Sequence, residues 1–406
     1  MRANHQHRIW PKVKAIAILP ICLFTFLLFS CVDEEEFPDT PQGNFEALWK
    51  IIDEHYCFFD YKQHEYGLDW NAIYNIYKVR AREEADKYQL FEVLTDMLSE
   101  LRDGHVNLYS AFDSGRYWSW HEDFPSNFSD TLQRRYLGTD YRIASSIRYR
   151  ILDDNIGYMY YGSFSNPVSD GGLNEILRYF AFCNGLILDI RDNGGGDLTN
   201  AEQLAARFCN EKTLVGYLQH KTGKGHFDFS EMEPQYIEPS SNLRWQKQVV
   251  VLTNRGVFSA ANDFVKYMKC FPLVKIVGDQ TGGGAGMPYT STLPNGWTVR
   301  FSACPSYDKD RRQVEFGISP DYAVGLADDD FRQGKDTLIE FARNLLAELV
   351  DAPDLGSGVL RRAGSSPVRR TNPKYRQKWM INIPQICYFD RKLRFLIKKI
   401  KIFLHN

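Results

Sequence analysis

A serine, three consecutive glycines and a histidine stand where covalent catalysis would need them. Ser259 follows the run Val249-Val250-Val251-Leu252-Thr253 and the turn Asn254-Arg255-Gly256. It precedes Ala260, Ala261, Phe264, Val265 and Met268, which fall at helical spacing. Four consecutive apolar residues, three of them β-branched, predict a strand buried on both faces. Ser259 therefore sits where a buried strand becomes a helix. A hydroxyl there is exposed at a sheet edge, beside first-turn amides and the positive end of a helix dipole that can stabilise an oxyanion. Serine is also a favoured N-cap, so capping is the competing role for this position.

The glycines follow a second strand-like run, Gly185-Leu186-Ile187-Leu188-Asp189-Ile190-Arg191-Asp192-Asn193-Gly194-Gly195-Gly196-Asp197, and lead into Leu198, Ala201, Leu204, Ala205 and Phe208 at helical spacing. Successive glycines let backbone amides approach a ligand closely. No Lys-Ser/Thr follows them, so the spacing of a phosphate-binding loop is not met. The turn could instead supply an oxyanion amide. His105 lies in Asp103-Gly104-His105, where a helical pattern breaks and alternating residues begin a strand. A corner holds a histidine rigidly, which suits a general base as well as a structural role. Of the nine histidines it is the best placed, the others lying in the leader, at the C-terminus, in the first helix or in polar loops.

The elements that must hold these residues are partly legible. Phe45, Leu48, Trp49 and Ile52 share one helical face, and Trp70, Ile73, Tyr74 and Tyr77 share another behind Asp69 as N-cap. Leu90, Val93, Leu94, Met97, Leu98 and Leu101 form a third. Three such helices predict a helical bundle over residues 44–104, packed against the main domain. Residues 110–145 are predicted as loop and short strands, and residues 156–161 as a strand. Pro294-Asn295-Gly296 predicts a hairpin between 289–293 and 297–301, and a helix over 336–349 closes the core.

With 406 residues, 44% of them hydrophobic, the chain can build a large core. Its eight cysteines form no CxxC pair and no zinc-spaced cluster, and HExxH is absent, so no cofactor is expected. Residues 1–31 carry a basic start and a short apolar run ending Leu28-Phe29-Ser30-Cys31. This resembles a bacterial lipoprotein signal, implying cleavage before Cys31 and acylation of its thiol. The chain would then be anchored by lipid to the outer membrane of the cell envelope. Residues 32–43 read as an acidic linker whose Val32-Asp33-Glu34-Glu35-Glu36 resembles a surface-export signal of Bacteroidetes lipoproteins. Residues 351–406 read as a flexible tail, with 13 Lys/Arg against one Asp from Arg361 onward. Its basic, apolar ending suits an anionic membrane surface. Nucleic acid is not an expected partner of an exported protein, and nothing specifies an oligomeric state.

The segment Leu188-Asp189-Ile190-Arg191-Asp192-Asn193-Gly194-Gly195-Gly196 resembles the S41 serine peptidases, the family of tail-specific (C-terminal processing) and tricorn-core proteases. Leu252-Thr253-Asn254-Arg255-Gly256-Val257-Phe258-Ser259-Ala260-Ala261 and Val277-Gly278-Asp279-Gln280-Thr281-Gly282-Gly283-Gly284 continue the likeness, which runs over residues 45–349. It implies an α/β, ClpP/crotonase-like core over residues 105–350, polypeptide substrates and Ser259 as nucleophile. It also implies an oxyanion hole from the Ala260 amide and a glycine-turn amide, Gly195 by family habit. The tail-specific branch uses a lysine base, but its place here, 25 residues beyond Ser259, is Gly284. The tricorn branch pairs the serine with an upstream histidine and a downstream glutamate, which implies His105 as general base and Glu315 beside it. Glu315 could orient the imidazole or support the nucleophile's surroundings, or simply pair with Arg311 or Arg312. About 50 residues separate His105 from the strand at 156, too few for the PDZ domain common in tail-specific proteases. The expected function is a serine endopeptidase forming an acyl-enzyme. The alternatives are a catalytically silent peptide-binding surface lipoprotein and crotonase-like acyl-CoA chemistry, which the export signal disfavours.

Overall fold

The computed structural model describes residues 36–82 and 84–351. Cys31, the signal segment and the basic tail lie outside them. Four helices open the described chain: α1 (Pro41–His55), α2 (Phe59–Tyr66), α3 (Trp70–Lys78) and α4 (Lys87–Ser99). Asp69 caps α3 as expected, its carboxylate accepting from the Ala72 amide at 3.0 Å. Asp86 and Gln89 close a capping box on α4. Helix α2 is additional to the three predicted, because its sequence, Phe-Asp-Tyr-Lys-Gln-His-Glu-Tyr, shows no apolar stripe.

Next come β1 (Asn107–Tyr109), β2 (Ser114–Arg116), α5 (Ser119–Glu122), α6 (Asp130–Leu137) and β3 (Arg142–Ala144). Two helices thus occupy a stretch predicted as loop and short strands. The sequence continues through β4 (Ile147–Ile151), β5 (Ile156–Tyr160), α7 (Asp170–Tyr179), β6 (Gly185–Asp189), α8 (Leu198–Ala205), β7 (Thr213–Leu218) and β8 (Glu233–Ile237). It closes with β9 (Val249–Thr253), α9 (Ala260–Met268), β10 (Val274–Gly278), β11 (Gly286–Thr292), β12 (Thr298–Tyr307), β13 (Tyr322–Ala323), α10 (Asp328–Arg332) and α11 (Thr337–Asp351).

Strands β13-β10-β9-β6-β5-β4-β3 form a seven-stranded sheet, parallel from β13 to β5 and antiparallel beyond. Every residue of β6 and β9 is buried, as their unbroken apolar runs require. Leu186, Leu188, Val249 and Val251 face one core, while Ile187, Val250 and Leu252 face Leu338, Ala342 and Leu346 of α11. Each such side chain contributes about 1.5–3 kcal/mol on burial, so the centre of this sheet is the rigid base of the molecule. A second, six-stranded sheet runs β2-β1-β12-β7-β8, with β11 also paired to β12. The predicted hairpin is the β11–β12 pair, longer than the pattern suggested. Helices α1 to α4 close no core of their own. Phe45, Leu48, Ile52, Leu94 and Met97 join the cluster that holds Val249, Val251, Phe264, Val299 and Phe301.

Candidate active site

The parallel neighbours β6 and β9 end in two turns that are stitched together. Asn254 accepts from the Asp192 amide at 2.9 Å and the Gly256 amide at 3.1 Å, and donates to Asp192 Oδ1 at 2.6 Å. The Phe258 amide donates to the Asn193 carbonyl at 3.1 Å. This brings the glycine turn against the start of α9. Ser259 stands there at φ 59°, ψ −127°, a left-handed conformation that costs a non-glycine residue about 1–3 kcal/mol and is tolerated where surrounding structure enforces it. Its hydroxyl makes no capping bond to α9. Instead, Oγ lies 3.0 Å from His105 Nε2. The two residues predicted to act together are brought into hydrogen-bonding contact.

His105 is buried, 2% exposed, and its ring packs against Phe258 at 4.8 Å between centroids. Trp120 stacks on Phe258 at 4.2 Å. Arg255 ties this layer together, donating from Nε to the Trp120 carbonyl and from Nη1 to the Thr281 carbonyl, both at 3.0 Å. Burial pulls the imidazole pKa down to about 4, against the opposing pull of Asp103 and with help from Arg300. At neutral pH the ring is therefore uncharged, and with its proton on Nδ1 it can accept the Ser259 proton at Nε2. No protein atom among the described residues partners Nδ1.

Glu315 does not fill that place. Its Oε1 lies 3.3 Å from Lys62 Nζ, and its Oε2 accepts from the Ala285 amide at 2.9 Å. Neither Arg311 nor Arg312 pairs with it; the cation is Lys62, wholly buried on α2. Lys62 Nζ also donates to the Leu101 carbonyl at 2.7 Å and lies 3.6 Å from Asp103 Oδ2. Asp103 accepts in addition from Tyr56 Oη and Ser302 Oγ, both at 2.9 Å, and from the His105 amide at 2.7 Å. Burial and the Asp103 charge push the Glu315 carboxyl upward, with Lys62 opposing. Burial also acts against Asp103 ionisation, but Lys62 and His105 outweigh it and hold its pKa below the usual value. Lys62, Tyr56 and Ser302 have no signal in the sequence. They come from separate segments and meet only in the folded chain.

The amide of Ala260 opens α9, where no intrahelical acceptor exists for it. Gly195 presses against it: a Cβ there would fall 2.8 Å from Ser259 Cβ and 2.9 Å from Ala260 N. The Gly195 amide, expected to face an oxyanion, donates instead to Asn193 Oδ1 at 3.0 Å. Gly284, the place of the tail-specific lysine, is occupied in another way. A Cβ at this φ of +76° would meet the Phe258 ring at 2.4 Å, so that ring fills the volume a lysine stem would need.

A family model for peptidase family S41 matches residues 155–324, and one for the tricorn protease C1 domain matches residues 37–99. The chain is 28% identical over 183 residues to the tricorn protease of Thermoplasma acidophilum, covering 44% of this chain and 16% of that protein. It is 24% identical over 180 residues to the carboxy-terminal processing protease CtpA of Bacillus subtilis, covering 43% and 36%. The matches thus span well under two thirds of these curated relatives. A crystal structure from Parabacteroides merdae, described as a peptidase, is 49% identical with a TM-score of 0.73 over 76% of this chain and 97% of that one. Mature CPAF complexed with lactacystin shares the fold, with a TM-score of 0.61 at 11% identity over 77% and 99%. With an α/β core of this build and both family models matching in order along it, the chain belongs to peptidase family S41.

Proposed function

We propose that this chain is a serine endopeptidase in which His105 replaces the lysine base of the tail-specific branch. The carrying observation is the 3.0 Å approach of His105 Nε2 to Ser259 Oγ, with the serine held at a strained strand-to-helix turn. Ser259 Oγ attacks the peptide carbonyl carbon while its proton passes to His105 Nε2. The oxyanion takes a hydrogen bond from the Ala260 amide, and from Gly195 once Asn193 releases it. Collapse breaks the C–N bond, and His105 returns the proton to the leaving amine. Water, deprotonated by the same imidazole, then hydrolyses the ester. Glu315 and Asp103 support the imidazole's surroundings through Lys62; neither hydrogen-bonds the ring, and Asp103 accepts only from the His105 backbone amide.

A fluorophosphonate probe should label wild-type protein and fail on Ser259→Ala. His105→Ala should lower peptide turnover by about 10²–10⁴-fold; undiminished labelling of that variant would remove the imidazole from the mechanism. Two observations favour a second reading, peptide capture without turnover: the engaged Gly195 amide and the unpartnered Nδ1. Absence of labelling in the wild type would select it. The substrates on either reading are polypeptides. We also propose lipid anchoring in the cell envelope through Cys31, motivated by Leu28-Phe29-Ser30-Cys31; a mature protein whose mass retains Met1 would end that assignment.

A further inference from the structure

Away from the catalytic pair, the second sheet brings a thiol, an imidazole and a carboxylate to one place. Leu218 of β7 lies opposite Ser306 of β12 on one side and Glu233 of β8 on the other. Continuing the antiparallel pairing of β7 with β12 by two residues sets His220 against Cys304. The chain beyond β7 is held in that position. The Gln219 amide donates to the Pro305 carbonyl at 3.2 Å, the His220 amide to Ser230 Oγ at 3.1 Å, and the Ser230 amide to the His220 carbonyl at 2.8 Å. Cys304 Sγ consequently lies 3.5 Å from His220 Nδ1, and Glu233 Oε2 lies 3.8 Å from His220 Nε2. With its proton on Nε2, toward Glu233, the ring accepts at Nδ1. The His220 and Glu233 side chains are 45% and 63% exposed and Cys304 is only partly buried, so a small reagent can reach the sulfur.

A second cysteine of the same chain shows what this arrangement adds. Cys57, Cys183 and Cys209 are buried, whereas Cys270 is partly buried, as Cys304 is. Cys270 Sγ donates to the Lys266 carbonyl at 3.4 Å. Burial pushes both thiols upward, Cys270 to about 11. The thiolate, not the thiol, is the nucleophile. A carbonyl oxygen holds a thiol proton without removing it, while an imidazole nitrogen takes it, and a carboxylate behind the ring stabilises the imidazolium that results. Of these two thiols, Cys304 alone has a base in contact.

We propose that Cys304 is a modification site that forms mixed disulfides with low-molecular-weight disulfides, with His220 as its proton acceptor. The Sγ proton passes to Nδ1, and the thiolate attacks one sulfur of the reagent. A new S–S bond forms as the reagent's own breaks, and the leaving thiolate takes the proton back from the imidazolium. One disulfide is consumed, one small thiol is released, and no further oxidant is required. The site stands whether or not Ser259 is catalytic. The full chain is incubated with an excess of bis(2-hydroxyethyl) disulfide, which is small and uncharged. Remaining thiols are then trapped with N-ethylmaleimide in acid, and each cysteine is followed by peptide mass mapping. Cys304 should enter disulfides about tenfold faster than Cys270 or more. His220→Phe and His220→Gln should each bring the two rates to within about threefold. An unchanged Cys270 rate in a variant reports that its fold persists, because unfolding would expose that thiol, and either variant that passes this check decides the matter. Glutamine is smaller than the imidazole, so an advantage owed to access alone would survive His220→Gln. Equal rates for Cys304 and Cys270 in the parent chain, or an advantage retained in a folded His220 variant, would overturn the site.

Discussion

His105 faces Ser259 as a neutral imidazole because burial, not a carboxylate on Nδ1, sets its charge. Desolvation is the largest influence on the ring; Asp103 and Asp263 raise its basicity, while Arg300 and Lys62 lower it. The sign is direct. The proposed mechanism requires the uncharged imidazole, so activity should persist below the ordinary histidine value of 6.5 and fail only as pH falls toward about 4. The unfolded chain takes up this proton at higher pH than the folded one, so the stability contributed by the neutral ring is present above 6.5 and lost over the same descent. Lys62→Met removes a cation that opposes imidazolium and leaves the Asp103 carboxylate without its ammonium partner. The acid limb of the labelling rate should then move upward by about half a pH unit or more. A merely structural lysine would change the amount of native protein and leave that limb in place. Ser259 and His105 were legible because each sits at a local break in pattern, strand to helix or helix to strand. The Lys62 cluster was not, since a buried ion pair across 253 residues of sequence leaves no local spacing to read.

Among the elements, the two long apolar strands and their turns were the most legible, because a strand buried on both faces must be an unbroken apolar run. Helix α2 was hidden because its buried positions include a lysine, and α6 because Leu132, Gln133 and Leu137 are its buried residues and one of them is polar. The turn conformations were hidden too, although they decide which base can act. Gly284→Lys restores the residue type of the tail-specific branch, yet its Cβ must enter space held by the Phe258 ring, at a φ that resists side chains. That ring also packs on His105. The substitution should therefore abolish labelling rather than restore a serine–lysine dyad, with a stability loss of about 1–3 kcal/mol in denaturant titration. A Gly284→Lys protein that labels while also lacking the imidazole (His105→Ala) would show that the volume can be vacated.

On the scale of the whole molecule, the N-terminal helices are part of the site. Helix α2 delivers Lys62 between two buried carboxylates, and Tyr56, just beyond α1, donates to one of them. Removing the helices would strip the cation from Asp103 and Glu315, and breaking a buried pair in this way costs about 3–5 kcal/mol. It would also uncover the part of the common core formed by Val299, Phe301 and their neighbours. Together the two losses are a large fraction of the 5–15 kcal/mol by which a typical domain is stable. A chain beginning at residue 100 should consequently fail to unfold cooperatively and should not label, whereas a chain beginning at residue 36 should do both. Cooperative melting and full-rate labelling of the shorter chain would mean that the helices are an appended domain and that the Lys62 cluster is dispensable to the serine. Restoring only the cluster's neutrality, with Asp103→Asn and Lys62→Met in the longer chain, then separates the two causes, because Asp103 is the acid held ionised there. A higher denaturation midpoint in that double variant than in Lys62→Met alone would assign the loss to uncompensated charge, and no gain would assign it to packing.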